Sequence, residues 1–272
     1  MADEDRELTE GEQWAREQLS ALLARRFTPP AIGAFLWNSW RRSAQIRRER
    51  PELARRSWLW LALGAAAYLP RERRRGALAW WGLTAVMLDW HLGMFETETG
   101  EPRNLGPADA LTLTRAWLVP VAHAAPTPAV VLAAAGTDVL DGIAARATHP
   151  TRAGRDLEGL VDACFGAAAL RGAIRSGRLS PAAGKAELGR LGAGFLFALA
   201  VYFGRAQPPP VDLVHAARAT TTLRVGGLVM AGLGHRRTGD ALLLSGCAAS
   251  VLLLARALVA SRDDGRAGAV DG

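Results

Sequence analysis

From about residue 110 onwards, this chain consists of a series of apolar stretches that are broken only by short polar segments, and this pattern limits the folds open to it. The stretches are rich in Ala, Leu and Gly and poor in β-branched residues, which favours helices over strands. Most approach the roughly 20 residues that a helix needs to cross a bilayer. We therefore expect six transmembrane helices, at about residues 110–125, 128–145, 157–174, 186–204, 211–233 and 241–260.

The polar segments between these stretches contain the Pro, Gly and charged residues that end helices. Gly and Ala inside the stretches are typical of membrane helices that pack closely. The expected fold is an all-α polytopic membrane protein, a six-transmembrane-helix bundle with an N-terminal helical extension. We divide the chain into a charged interfacial extension, one or two additional apolar helices, a six-helix domain and a polar tail, at residues 1–56, 57–100, 104–260 and 261–272.

The N-terminal extension predicts amphipathic helices. Thr9 followed by Glu12 fits a capping box at the start of a helix over residues 9–26. Residues 31–50 place apolar and aromatic side chains beside arginines, which is typical of a helix lying in the membrane interface. A small soluble helical cap that packs on itself explains the same pattern equally well.

Two further apolar segments precede the six stretches. Residues 58–69 are too short for a comfortable crossing, whereas residues 76–95 are long enough. The sequence leaves open whether both cross the membrane or neither does. Asp89 and His91 lie near the end of the second segment, and we expect them to be solvated at the interface.

The balance of charge is basic, with a net charge of +7. Basic surfaces bind nucleic acids, but no recognition motif accompanies the charge here, so we expect no nucleic-acid partner. Arginines next to apolar runs are typical of proteins that contact anionic lipid headgroups. Cys164 and Cys247 lie singly in apolar runs, which predicts neither a disulfide framework nor a zinc site.

Two pairs of acidic residues flank the break between the second and third stretches. Asp138 and Asp141 are three residues apart, and Glu158 and Asp162 are four apart. On helices, both spacings place the members of a pair on one face. If the two helices are antiparallel neighbours, four carboxylates converge and repel one another unless cations bind between them. Carboxylate oxygens are ligands that suit Mg²⁺ or Mn²⁺.

Small residues and a cation follow the first acidic pair at fixed offsets. Gly142 and Ala145 allow a ligand or a helix to approach the backbone, as does Gly154 at the start of the next helix. Arg146 is suited to gripping a phosphate with two hydrogen bonds. A simpler interpretation is that the first acidic pair caps a helix end and Arg146 extends towards the headgroups. Two acidic pairs in register with these residues argue against it.

This stretch closely resembles the signature of the CDP-alcohol phosphatidyltransferase family. That signature reads Asp-x2-Asp-Gly-x2-Ala-Arg, a spacer of seven or eight residues, then Gly-x3-Asp-x3-Asp. The chain departs from it only at Glu158, where the family has Asp. An upstream element, Asp109-x2-Thr112-x2-Arg115, is similar to the family's Asn-x2-Thr-x2-Arg. The residues that match the signature are Asp138, Asp141, Gly142, Ala145, Arg146, Gly154 and Asp162.

The resemblance implies an enzyme that transfers a substituted phosphate group from a CDP-alcohol, such as CDP-diacylglycerol, to a hydroxyl acceptor and releases CMP. It implies that Asp138, Asp141, Glu158 and Asp162 hold two Mg²⁺ or Mn²⁺ ions and that Asp162 is the general base. It further implies a homodimer in a prokaryotic cell membrane, with the active site facing the cytoplasm. The expected nucleotide-binding residues are Gly142, Ala145, Arg146, Thr151, Gly154 and Thr112.

The acceptor is a small alcohol or a phosphorylated alcohol, and the sequence leaves the choice open. A phosphorylated acceptor requires additional cations, for which Arg152, Arg155, Arg218 and Arg224 are candidates. Two alternatives remain. One is a polytopic protein that binds or transports metal ions through the acidic residues. The other is a catalytically reduced family member, altered by Glu158, whose extension acts as a scaffold at the membrane.

Overall fold

The computed structural model describes residues 8–68, 74–97, 99–148, 151–202 and 211–267. These residues form ten α-helices, a short 3₁₀ helix at Leu92–Met94 and a single β-bridge between Glu96 and Pro102. The expected all-α class is therefore confirmed. The helices are α1 (Glu10–Ala24), α2 (Pro29–Glu49), α3 (Pro51–Tyr68), α4 (Arg74–Trp90), α5 (Pro107–Ala124), α6 (Pro128–Thr148), α7 (Arg152–Arg175), α8 (Pro181–Tyr202), α9 (Val211–Gly232) and α10 (Arg236–Ala267).

Helices α5 to α10 correspond in order to the six predicted apolar stretches. The ends of these helices differ from the predicted ends where polar residues continue a helix beyond its apolar part. Helix α7 begins at Arg152, and α10 begins at Arg236 and continues to Ala267, into the segment that we assigned to a polar tail. Among the described residues, two windows are long and apolar enough to cross a membrane, Pro128–Ala145 in α6 and Arg236–Arg256 in α10.

The chain divides into two compact units, and the division does not follow the predicted boundary near residue 104. The first unit comprises residues 1–117 and 137–162, and the second comprises residues 118–136 and 163–272. The first unit thus combines the N-terminal extension with all four acidic residues of the signature.

The core of the first unit joins α3, α4 and the segment that follows α4 to α5 and α7. Leu53 of α3, Leu88 of α4 and Phe95 pack in one buried cluster with Leu113 of α5 and Leu157 of α7. Burial of each such side chain contributes about 1.5–3 kcal/mol relative to exposure. The segment from α3 to Phe95 is therefore part of the core that supports α5 and α7 within this unit.

The predicted capping box at the start of α1 is confirmed. The Thr9 side chain accepts a hydrogen bond from the Glu12 backbone N–H, and the Glu12 side chain accepts one from the Thr9 N–H. We expected Asp89 to be solvated at the interface, and its side chain, which is 24% exposed, also has partners within the protein. Its carboxylate accepts a hydrogen bond of 2.5 Å from Ser43 and forms an ion pair with Arg47, which joins α4 to α2.

The second unit holds its own core, formed by Leu170, Ala173, Leu179, Ala231 and Leu243. Helices α9 and α10 form a closely packed hairpin in it. A Cβ atom added at Gly227 would lie 3.0 Å from the carbonyl oxygen of Gly239. A Cβ atom added at Gly239 would lie 2.9 Å from the carbonyl oxygen of Gly227. Small residues at this contact allow the two backbones to approach, as they do in membrane helix pairs.

Candidate metal centre

Three of the predicted metal ligands lie together in the first unit, on the parts of the consecutive helices α6 and α7 that belong to it. Asp138 on α6 and Glu158 and Asp162 on α7 each offer a carboxylate oxygen, and these oxygens all lie within 4.8 Å of one another. Two oxygens bound to one Mg²⁺ lie at most about 4.2 Å apart, because each Mg–O bond measures about 2.1 Å. A side-chain adjustment of less than about 1 Å would let all three share an ion.

The fourth predicted ligand, Asp141, is held differently. Its carboxylate is buried, accepts a hydrogen bond of 3.0 Å from the Thr112 hydroxyl and lies 2.7 Å from the Arg115 guanidinium. By contrast, the side chains of Asp138 and Asp162 are 47% and 45% exposed. The cluster therefore has a fixed, buried side at Asp141 and an open side at Asp138 and Asp162 that solvent and ions can reach.

Arg115 lies at the centre of the acidic residues, and we did not include it among the predicted site residues. Its guanidinium is 2% exposed and lies 3.0 Å from Asp138, 2.7 Å from Asp141 and 2.9 Å from Asp162. The spacing of Asp109, Thr112 and Arg115 at every third position was the available signal, because it places all three on one face of a helix.

The charge of Arg115 only partly compensates the carboxylates that it contacts. One positive charge is shared among three acidic side chains. Its Nη1 donates a hydrogen bond to Asp138, whereas Nε and Nη2 are at ion-pair distance without hydrogen-bond alignment. An acidic cluster with this donor set fits the binding of further hard cations, since carboxylate oxygens are the ligands that Mg²⁺ and Mn²⁺ prefer.

Asp109, Thr151 and Gly154 form a second, buried polar cluster beside the acidic residues. Thr151 donates a hydrogen bond of 2.5 Å to Asp109 and accepts one from the Gly154 N–H. Asp109 also accepts a hydrogen bond of 2.8 Å from the Gly106 N–H. The cluster fixes the start of α7 against the first turn of α5.

The packing of this polar cluster leaves no room for a side chain at position 154, so it requires glycine there. A Cβ atom at this position would lie 2.6 Å from a carboxylate oxygen of Asp109 and 3.0 Å from the Thr151 hydroxyl. We predicted that Gly154 lets a nucleotide approach the backbone. The observed close neighbour is Asp109, so the glycine has a packing role in addition to any role in substrate binding.

Three further residues predicted to bind the nucleotide lie on α6, namely Gly142, Ala145 and Arg146, whereas the predicted acceptor-binding residue Arg155 lies on α7. Gly142 directly follows Asp141, and Ala145 lies one turn beyond it; both residues are half-buried. Arg146 and Arg155 belong to α6 and α7, but their side chains lie outside the described part of the structure.

Arg152 is buried beside two carboxylates of the first unit, those of Glu12 and Glu96. It forms ion pairs of 2.7 Å with Glu12 and 3.0 Å with Glu96, and it donates a hydrogen bond of 2.5 Å to Thr9. We predicted it as an acceptor-binding residue. These contacts instead join the start of α7 to the start of α1, and we leave Arg152 out of the proposed acceptor site.

Arg218 and Arg224 belong to α9 in the second unit, whereas the acidic cluster belongs to the first. Arg218 is exposed. Arg224 lies 3.5 Å from Glu187 and donates a hydrogen bond of 2.6 Å to Thr221. A role for either residue in acceptor binding stays a prediction.

Neither the models of known protein families, nor the curated proteins, nor the solved structures that we compared with this chain gave a match. The functional proposal below therefore rests on the residues of the site and on their spacing.

Proposed function

We propose that this chain is an integral membrane CDP-alcohol phosphotransferase, which moves a substituted phosphate group to a hydroxyl acceptor and releases CMP. The observation that carries the proposal is the meeting of Asp138, Glu158 and Asp162 from two consecutive helices, within 4.8 Å of one another. These residues stand at the spacing of the family signature, with Asp141 fixed beside them by Arg115. A protein that only binds metal ions does not require Gly142, Ala145, Arg146 and Gly154 at fixed offsets.

In this proposal Asp138, Asp141, Glu158 and Asp162 hold two Mg²⁺ or Mn²⁺ ions. When bound, such ions neutralise the negative charge of a diphosphate and of the transition state. The open side of the cluster, at Asp138 and Asp162, receives the diphosphate of the CDP-alcohol. Arg115 contacts Asp138, Asp141 and Asp162, which lowers the cost of bringing these three acidic groups together.

Asp162 acts as the general base in the proposed reaction. It takes the proton of the acceptor hydroxyl, and the resulting oxygen attacks the phosphorus nearer the lipid. The bond from that phosphorus to the oxygen of CMP breaks, and CMP leaves with the bonding electrons. Asp162 suits this role because its side chain is 45% exposed on the open side of the cluster while Arg115 orients it from the buried side.

We further propose that α5 to α10 are six membrane spans. The proposal is supported by helix lengths of 18 to 32 residues, since a crossing needs about 20. It is also supported by large apolar side chains that are exposed on α6, α8 and α10 and are suited to contact lipid tails: Leu132, Val139, Leu140, Phe195, Leu196, Val251 and Leu252. The cytoplasmic orientation of the site and a homodimer are part of the same proposal.

The direct test is CMP release by the purified full chain from CDP-diacylglycerol with Mg²⁺ or Mn²⁺ and a panel of alcohol and phosphorylated-alcohol acceptors. We expect metal-dependent CMP release with at least one acceptor. Asp162→Asn should abolish release, whereas Asp156→Asn, an exposed position on the same helix, should retain it. Metal binding without CMP release for every acceptor would favour the metal-binding or the catalytically reduced alternative.

Glu158 provides a second test, because it is the one departure from the signature. Glu158→Asp shortens the side chain by one methylene and keeps the charge, so we expect CMP release to persist. Glu158→Gln removes the charge and should reduce release by at least about tenfold, corresponding to about 1.4 kcal/mol. Equal activity of the two variants would argue that Glu158 is not a ligand.

A further inference from the structure

Helices α2 and α3 carry several large aromatic and aliphatic side chains that are exposed. Trp37 and Trp40 on α2 stack with ring centroids 5.0 Å apart and are 58% and 50% exposed. Soluble monomers rarely leave large contiguous apolar patches open to water, so a surface of this kind marks an interaction site. The other exposed members on α2 and α3 are Ile32, Leu36, Trp58, Leu59 and Leu63.

Cations lie directly beside these apolar side chains. The second half of α2 carries four arginines and a single acidic residue, Glu49. Arg42 and Arg47 are already engaged by carboxylates. Arg41 and Arg48 are exposed, and neither has an ion-pair partner within the described ranges. With Trp40 they line a cavity of about 720 Å³, to which Arg42 and Glu49 also contribute; three arginines against one carboxylate leave it net positive, with room for an anionic group.

A second, apolar cavity adjoins the cationic one. It has a volume of about 480 Å³ and lies between α2, α3 and α4, where Trp58, Leu61 and Val86 line it. Trp40 lines both cavities. A molecule that fills the two must therefore carry an anionic group next to an apolar chain.

We propose that α2 and α3 form a binding site for an anionic phospholipid. Its phosphate binds Arg41 and Arg48, and an acyl chain lies against Trp40 and Trp58. Arginine matches a phosphate by charge and by hydrogen-bond geometry, and tryptophan is suited to the boundary between headgroups and tails. A nucleic acid would satisfy the arginines but leave Ile32 and Leu36 exposed to water. The site uses no residue of the acidic cluster and does not depend on the proposed reaction.

The test measures lipid binding to the purified full chain in a non-ionic detergent by native mass spectrometry. Phosphatidylglycerol and phosphatidylcholine with the same acyl chains are the anionic and zwitterionic probes. We expect the wild type to prefer phosphatidylglycerol. R41Q/R48Q should lower its affinity for this lipid by roughly 30-fold, because each arginine near an anionic headgroup contributes about fivefold. The affinity for phosphatidylcholine should change by less than about threefold.

A matched control removes the same charge from neighbouring α3. Arg55 and Arg56 are both paired with Glu52, so R55Q/R56Q should leave lipid binding within about twofold of the wild type. W58Q, which removes an apolar contact, should lower the affinities for both lipids to a similar extent. Equal affinity of the wild type for both lipids, or an equal loss in the two arginine variants, would overturn the proposal. Displacement of phosphatidylglycerol by a single-stranded oligonucleotide would overturn it in favour of a nucleic-acid site.

Discussion

Arg115 and Asp141 form a buried ion pair in which Nη2 lies 2.7 Å from Oδ2, with side chains 2% and 6% exposed. The pair joins α5 to α6 and places the guanidinium within 3.0 Å of Asp138 and 2.9 Å of Asp162. A buried pair of this kind stabilises a structure mainly through the penalty for losing one partner. Arg115 is therefore the residue on which the geometry of the acidic cluster depends most.

Arg115→Met should destabilise the full chain strongly in the presence of a chelator. Loss of the cation leaves the buried Asp141 carboxylate without compensation, at a cost of about 3–5 kcal/mol. Mn²⁺ should restore part of this loss, because the ion supplies the missing positive charge. Thermal unfolding in detergent, with and without Mn²⁺, measures both effects.

The control for this variant is Arg56→Met. Arg56 pairs with Glu52 on the surface, and exposed pairs contribute about 0–1 kcal/mol. A similar change in melting temperature for the two variants, or a stabilisation by Mn²⁺ that is no larger in Arg115→Met than in the wild type, would contradict the assigned role.

Gly154→Ala should disrupt the contact between α7 and Asp109. The added methyl group meets a carboxylate oxygen at 2.6 Å, and overpacking of this kind costs about 1–3 kcal/mol. We expect a lower melting temperature together with reduced CMP release, since α7 carries Glu158 and Asp162.

Gly159→Ala is the matched control on the same helix. No atom lies within 4 Å of a Cβ at that position, so the substitution should be neutral or stabilise the helix by about 0.5–1 kcal/mol. If both alanine variants behave alike, the close approach of Gly154 to Asp109 is not a constraint on this protein.

Arg152 should behave as a structural residue and not as an acceptor-binding one. Its ion pairs with Glu12 and Glu96 predict that Arg152→Met and Glu12→Gln each lower the free energy of unfolding. Because the residues are in contact, the double variant should lose at least about 1 kcal/mol less than the sum of the single variants. Chemical unfolding of the four proteins measures this coupling.

Additive losses in that cycle, combined with a raised KM for a phosphorylated acceptor in Arg152→Met alone, would return Arg152 to the acceptor site. Glu12→Gln serves as the control for this readout, because it disturbs the same contact without removing a cation.

Much of the local structure could be predicted from the sequence. The capping box at Thr9 and Glu12 involves neighbours three residues apart, and the apolar stretches placed α5 to α10 in the correct order. The convergence of Asp138 with Glu158 and Asp162 followed from helix periodicity on both sides of one short break.

Contacts between distant parts of the chain could not be predicted in the same way. Periodicity identifies the face of a helix that carries a residue, but it does not identify the element that packs against that face. Arg152 contacts Thr9 across 143 positions, and Asp89 contacts Arg47 across 42. For the same reason the sequence places Arg115 on one helix face with Asp109 and Thr112 but does not predict its three carboxylate partners. Those partners are seen only in the structure.

The most direct test of the central claim is the number of Mn²⁺ ions bound by the full chain, measured by electron paramagnetic resonance of the free ion. We predict that the wild type and Asp156→Asn bind two ions with similar affinity. Asp138→Asn, which removes a ligand on the open side of the cluster, should bind fewer ions or bind them at least tenfold more weakly, corresponding to about 1.4 kcal/mol. Identical Mn²⁺ binding by Asp138→Asn and the wild type would contradict a metal centre at these carboxylates.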